Sequence, residues 1–140
     1  MKQLSVFLEN KTGRINDVTK ILGRYAINMH AFSMAESTDF GILRLIVNDT
    51  EKAINIMKEA GFTVGRTAVV AVEVDDKPGG LNNILEALSG QNVNVEYMYA
   101  FVQEGGGSAT MIFRFDRIDQ AIEVLKAKNI PIIPADRING

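Results

Sequence analysis

An internal duplication constrains the fold of this chain more than any other feature of its sequence. An offset of 66 residues aligns segment 9–22 with segment 75–88 without a gap. In that register Gly13 falls on Gly79 and Asn28 on Asn94, and apolar positions of one copy meet apolar positions of the other. Each copy must therefore fold around a small core of its own. The predicted modules are residues 1–66 and 67–140.

Apolar spacing predicts the first two elements of each copy. Apolar residues at every second position before Gly13 and Gly79 indicate a strand. Apolar residues at helical spacing after these glycines indicate an amphipathic helix. The strand positions are Leu4, Val6 and Leu8, and Val70, Val72 and Val74. The helix positions are Ile15, Val18, Leu22 and Tyr25, and Leu81, Ile84 and Leu88.

The remaining elements repeat in the same order. Second strands are predicted at 28–36 and 94–102, third strands at 42–47 and 109–115, and fourth strands near 62–66 and 130–136. Second helices are predicted to stop at Gly61 and Asn129, two residue types that tolerate a left-handed conformation. The order βαββαβ predicts an α+β fold of two tandem ferredoxin-like modules, each an antiparallel four-stranded sheet with two helices on one face.

The second strands carry apolar residues on both faces. An antiparallel sheet with one solvent-exposed face would need apolar residues on the other face only. Tyr97, Tyr99 and Phe101 alternate with apolar residues, as do Phe32 and Met34 in the first copy. We therefore expect the face away from the helices to be buried as well, through packing of the two copies on each other or on a second chain. A homodimer through sheet faces or edges is expected.

Composition limits the possible functions. The net charge of −2 provides no excess of cations for phosphates, so nucleic acid is not an expected partner. With no cysteine and one histidine, no metal site and no cofactor are expected. No apolar run approaches a signal peptide or a membrane span, so we expect a cytoplasmic protein without a membrane partner.

The turn between the first strand and the first helix carries the candidate site. Backbone N–H groups and the positive end of a helix dipole suit a carboxylate, and glycine permits close approach. A side-chain oxygen of Asn10 or Asp76 is suited to accept hydrogen bonds from an ammonium group, so the loop matches an α-amino acid. The same residues also suit a simple tight turn, with Pro78 in the first helical turn.

These residues resemble the ACT domain, a regulatory module. The resemblance covers the whole chain as two modules. It rests on Asn/Asp-Lys-x-Gly-x-Ile/Leu, on Asn28 and Asn94 at the second strands, and on segment 39–44, Asp-Phe-Gly-Ile-Leu-Arg. The second copy has Gly-Gly-Gly-Ser at 105–108 instead, which leaves open whether both copies bind. The predicted ligand-binding residues are Asn10, Lys11, Thr12, Gly13, Arg14, Ile15, Asn28, Asp76, Lys77, Pro78, Gly79, Gly80, Leu81 and Asn94.

The resemblance implies a regulatory, allosteric protein that binds an amino acid at an interface between modules or subunits and acts on a metabolic enzyme. No catalytic residue is expected, because the sequence shows no nucleophile with a base and no phosphate loop. An RNA-recognition module is disfavoured because the central strands lack its aromatic and basic signature. The alternative that stays open is an adaptor that binds an enzyme without any small ligand.

Overall fold

The computed structural model describes residues 1–9, 13–36, 39–101 and 107–139, and it confirms the repeated βαββαβ order. The first copy comprises β1 (Lys2–Glu9), α1 (Arg14–Arg24), β2 (Met29–Glu36), β3 (Phe40–Val47), α2 (Thr50–Glu59) and β4 (Thr63–Ala68). The second comprises β5 (Val70–Asp75), α3 (Gly80–Leu88), β6 (Val95–Phe101), β7 (Ser108–Phe115), α4 (Ile118–Ala127) and β8 (Ile132–Ile133). A short helix follows, α5 (Asp136–Asn139).

Each copy forms one four-stranded sheet with the same strand order. The orders are β2-β3-β1-β4 and β6-β7-β5-β8, so the first and third strands of each copy lie in the centre. The registers of β1 with β3 and of β5 with β7 are antiparallel, as are the β2–β3 and β6–β7 hairpins. This is the predicted ferredoxin-like arrangement, produced by two interleaved βαβ crossovers.

Alternating residues of the central strands form the two cores. In the first copy these residues pack against α1 and α2, and in the second against α3 and α4. The first core includes Leu4, Val6, Leu8, Val18, Leu22, Leu45, Ile54 and Met57; the second includes Val70, Val72, Val74, Ile84, Leu88, Phe113, Phe115 and Leu125. The period of two in the strands and the helical period after them therefore identified most of both cores.

Several residues on the opposite sheet faces are also buried, whereas Phe32 and Met34, on which the expectation of a buried face rested in the first copy, are 59% and 38% exposed. Gln3 and Ser5 are buried on β1, and the Gln3 amide nitrogen donates a hydrogen bond to the Ser5 hydroxyl at 3.0 Å. This pairing satisfies polar atoms that would otherwise be costly to bury. On the second sheet Ala71, Tyr99 and Ile112 are buried.

Four predicted details are wrong. Ile15 and Tyr25 are 45% and 46% exposed, because they lie in the first turn of α1 and beyond its last residue. The predicted strand at 130–136 contains only Ile132–Ile133, and Asp136 begins α5. Pro78 lies in the turn before α3 rather than in its first turn, since Gly79 is the N-cap.

The chain divides into two compact units by its contacts. One contains Lys2–Thr67 together with α5, which contacts β3, and the other contains Ala68–Ala135 together with Met1. The Met1 carbonyl accepts a hydrogen bond from the Val69 N–H at 2.9 Å. The module bounds 1–66 and 67–140 stay a prediction, and the units are called the first and second module below.

Candidate functional site

The two candidate loops end in the same backbone conformation. Gly13 and Gly79 are the N-caps of α1 and α3, with φ of +88° and +84°, a region that L-residues with a Cβ adopt only at a cost. Each glycine carbonyl accepts the first helical hydrogen bond, from Asp17 N–H and from Asn83 N–H, both at 3.0 Å. Because glycine has no side chain, neither N-cap residue can cap its helix as Asp49 caps α2.

In the first module a cavity of about 350 Å³ opens beside the start of α1. It lies at the low end of the range of about 300–1,000 Å³ that is usual for small-molecule sites. Its walls come from the end of β1, the first turn of α1, the end of β2 and the start of β3. The lining residues are Leu8, Glu9, Gly13, Arg14, Ile15, Asn16, Met34, Glu36, Phe40 and Gly41.

Arg14 also lines a smaller cavity of about 200 Å³, which shares Leu8, Glu9 and Phe40 with the first one. Its guanidinium carbon lies 5.3 Å from the centroid of the Phe62 ring, and one of its nitrogens lies 3.8 Å from the Asp17 carboxylate. The stacking and the ion pair are each worth about 1 kcal/mol or less at such exposed positions. They hold a positive charge at the end of the helix that already favours anions.

Two backbone hydrogen bonds form within the corresponding loop of the second module. Lys77 N–H donates to the Asp75 carbonyl at 2.9 Å, and Gly80 N–H donates to the Lys77 carbonyl at 3.0 Å. A Cβ on Gly80 would lie 2.0 Å from the Asp75 carbonyl oxygen, so no other residue fits there without backbone movement. The first module has Arg14 at this position, and the two helix starts therefore differ in chemistry despite their shared geometry.

A cleft of about 540 Å³ borders the same helix start in the second module. Its charged lining residues are Glu73, Asp75, Glu86 and Lys128. The Asp75 carboxylate lies 3.6 Å from the Lys77 ammonium, so one of the three carboxylates already has a cationic partner.

The predicted site residues divide into three groups. Asn10, Lys11 and Thr12 lie outside the described residues. Gly13, Arg14 and Ile15 line the first cavity, and their role in ligand binding stays a prediction. In the second module Asp76, Lys77, Pro78 and Gly79 are exposed, Gly80 lines the cleft, and Leu81 packs against the core.

Asn28 and Asn94 lie at the opposite ends of their sheets from these loops. The register of β2 places Met29 beside Val47 and Glu36 beside Gly41, while Glu9 at the end of β1 pairs with Phe40. Asn28 N–H donates to the side chain of Asn48 at 3.0 Å, and Asn94 N–H donates to that of Asp116 at 2.8 Å. Within one module, neither asparagine joins the loop that was predicted to share its ligand.

Sequence reasoning missed Asn16 of α1 and all six strand residues that line the cavity: Leu8, Glu9, Met34, Glu36, Phe40 and Gly41. The strand residues reach the start of α1 only through the pairing of β1, β3 and β2, which a local pattern does not reveal. Phe40 lies in segment 39–44, which was part of the resemblance to the ACT domain. That resemblance was the only sequence signal for a role of Phe40.

Within the described ranges, no group of three or more His, Asp or Glu side chains is arranged to hold a metal ion. Over the same residues, every helix is too short or too polar to cross a membrane.

Comparison with known proteins identifies the family. The sequence model for the ACT domain pair matches residues 1–139. The chain belongs to this family. Protein BT0572 from Bacteroides thetaiotaomicron, known from its crystal structure, is 42% identical to this ACT domain pair, with a TM-score of 0.92 over 99% of this chain and 94% of that one.

More distant structures share the fold of this ACT domain pair. The regulatory subunit of aspartate kinase from Thermus thermophilus is 13% identical, with a TM-score of 0.67 over 91% of this chain and 90% of that one. The corresponding subunit from Thermus flavus is 10% identical, with a TM-score of 0.62 over 90% of both chains. Among curated protein sequences, none matches this chain significantly.

Proposed function

We propose that this ACT domain pair is a regulatory protein that binds an amino acid at the start of α1 and catalyses no reaction. The observation that carries the proposal is the cavity of about 350 Å³, which places Arg14 and a helix N-terminus beside two carboxylates, Glu9 and Glu36. An α-amino acid presents one carboxylate and one ammonium group a few ångströms apart. The lining residues supply a partner for each.

In this proposal the ligand carboxylate lies at the N–H groups that open α1, where the helix dipole places about half a positive charge. The Arg14 guanidinium adds charge-assisted hydrogen bonds, which are stronger than neutral ones. The ammonium group donates to Glu9 or Glu36. The further contacts predicted for Asn10 and Asn28 stay predictions, as does the closure of the site by another module.

We propose that occupancy changes the conformation or the association of the chain, because a ligand shifts an equilibrium only through its different affinity for the two states. The output would be a homodimer rearrangement or a change in the affinity for a metabolic enzyme. The regulatory subunits of aspartate kinase give a precedent in the same fold for a chain that regulates an enzyme.

The alternative of a ligand-free adaptor has one observation in its favour. Large apolar side chains are exposed on the first module, with Phe32 at 59% and Phe40 at 60%. Exposed apolar surface of this kind often marks a protein interface. The adaptor and the sensor differ in a simple way, since only the sensor gains stability from a free amino acid.

A thermal-shift screen of the purified chain against the twenty amino acids separates the two. A ligand that binds only the folded state, at 100 times its Kd, is expected to stabilise the chain by about 2.7 kcal/mol. We expect one amino acid, or a few of similar chemistry, to raise the melting temperature. If all twenty leave it unchanged, while an enzyme co-purifies in a fixed ratio, the adaptor is favoured instead.

A further inference from the structure

Resting on the proposed function, we propose that the first module alone holds the amino acid and that the ligand is one with an apolar side chain. Met34 and Phe40 are then the residues that determine specificity. The inference comes from the side chains that the two modules place at structurally equivalent positions around the same helix start.

Strand pairing defines these equivalences. Phe40 pairs with Glu9 and Ser108 with Asp75, so Ser108 occupies the position of Phe40. Met34 pairs with Leu43, and Ala100 pairs with Met111, so Ala100 occupies the position of Met34. Arg14 and Gly80 each follow a left-handed N-cap glycine. Three of the large side chains that line the first cavity, Arg14, Met34 and Phe40, are therefore glycine, alanine and serine in the second module.

The walls of the first cavity divide into charged and apolar parts. Arg14 suits the carboxylate that every amino acid carries, and Glu9 or Glu36 suits its ammonium group. The other large walls are Leu8, Ile15, Met34 and Phe40. Ile15 and Phe40 are 45% and 60% exposed, so a ligand side chain that covers them removes apolar surface from water. A charged ligand side chain would lose hydration against these walls without gaining a partner there.

The second module keeps Asp75 and Val74 at the positions of Glu9 and Leu8 but lacks the other main groups of this arrangement. The positions of Met34 and Phe40 carry no large apolar side chain, and the position of Arg14 carries no charge. The Gly80 N–H, which opens α3, already donates to the Lys77 carbonyl.

Isothermal titration calorimetry on the full chain tests the inference, with leucine, methionine and phenylalanine as probes against aspartate, lysine and serine. We expect at least one apolar probe to bind with a stoichiometry of one per chain. Phe40→Ser and Met34→Ala, which install the residues of the second module, are expected to weaken that binding about 10-fold or more, since lost apolar contacts of this size change affinity by such factors. Met98→Ala is the control, because Met98 is a 40% exposed methionine of the second module, and it should leave the affinity within twofold.

Gly41→Ala provides a second variant that keeps the chain folded. A Cβ at this position would lie 2.7 Å from the Met34 methyl group, a flexible end that can move, and Gly41 does not have a positive φ. The displaced methyl narrows the cavity, so we expect weaker binding of the apolar probe with an unchanged melting temperature of the free protein.

The outcomes separate the two levels of the proposal. If a charged or polar probe binds and the apolar probes do not, the chain is a sensor but the apolar class is wrong. Two equal sites per chain, or an affinity that Phe40→Ser leaves unchanged, would overturn the assignment to the first module. If none of the twenty amino acids binds, the proposed function fails together with this inference.

Discussion

Replacing Gly80 with alanine is expected to destabilise the second module by about 3 kcal/mol or more. The added Cβ would lie 2.0 Å from the Asp75 carbonyl oxygen and 3.1 Å from its carbon. Both are backbone atoms, so the strand end or the helix start must shift, and overpacking that moves backbone costs about 1–3 kcal/mol or more. Equilibrium urea unfolding followed by circular dichroism measures this loss.

Gly23→Ala is the matched control for that prediction. Gly23 lies inside α1, has no positive φ, and a Cβ there would meet nothing within 4 Å. Alanine is favoured over glycine in a helix by about 0.5–1 kcal/mol, so this variant should be more stable than the parent chain. Equal unfolding midpoints for Gly80→Ala and the parent would show that the tight approach of Asp75 to Gly80 is not present in solution.

Replacing Phe113 with alanine is expected to cost about 3–5 kcal/mol, the range observed for aromatic residues cut back to alanine in a core. Phe113 is fully buried, and its ring stacks on that of Phe115 with centroids 5.4 Å apart and planes 3° from parallel. The truncation therefore removes both apolar burial and an aromatic pair.

The same measurement on Phe40→Ala is the control, because Phe40 is the same residue type but 60% exposed. Its loss should change the free energy of unfolding by less than about 1 kcal/mol. A similar loss in both variants would mean that Phe113 does not lie in a packed core.

The fold could be predicted from the sequence because its determinants are local and occur twice. The period of two at Leu4, Val6 and Leu8 and the glycine that begins each first helix are visible within a few residues. Gly61 and Asn129 were predicted to end the second helices, and both have positive φ, of 90° and 57°. The repeat made each of these interpretations stronger, since the same pattern appears in both copies.

The parts that could not be predicted depend on distant contacts. The shortness of β8 follows from its pairing with only Ala71 and Val72, and α5 contacts β3, a strand almost 90 residues earlier in the chain that belongs to the same compact unit. Ile15 has the spacing of a core residue, yet it lines the cavity because the first turn of α1 extends past the edge of the core. No local sequence pattern shows that β8 is short, that a helix follows it, or that Ile15 lies outside the core.

The candidate site was predicted only as far as its loop. The glycine turn and Arg14 could be recognised because they lie next to each other in the sequence at the start of a predicted helix. Met34 and Phe40 lie on other strands, and the register of those strands decides which of their side chains reach the loop. The predicted equivalence of the two loops was correct for the backbone at Gly13 and Gly79. It did not extend to the surrounding side chains, where Arg14 is replaced by Gly80.

The most direct test of amino acid binding at the start of α1 is a ¹⁵N-labelled NMR titration of the full chain with the amino acid that stabilises it most in the thermal-shift screen. Backbone amides in the first turn of a helix are sensitive to a carboxylate placed at their N–H groups. We predict that the amide signals of Gly13, Arg14 and Ile15 shift with saturation, and that those of Gly79, Gly80 and Leu81 do not. Shifts confined to the second loop, or to neither loop, would contradict the proposed site.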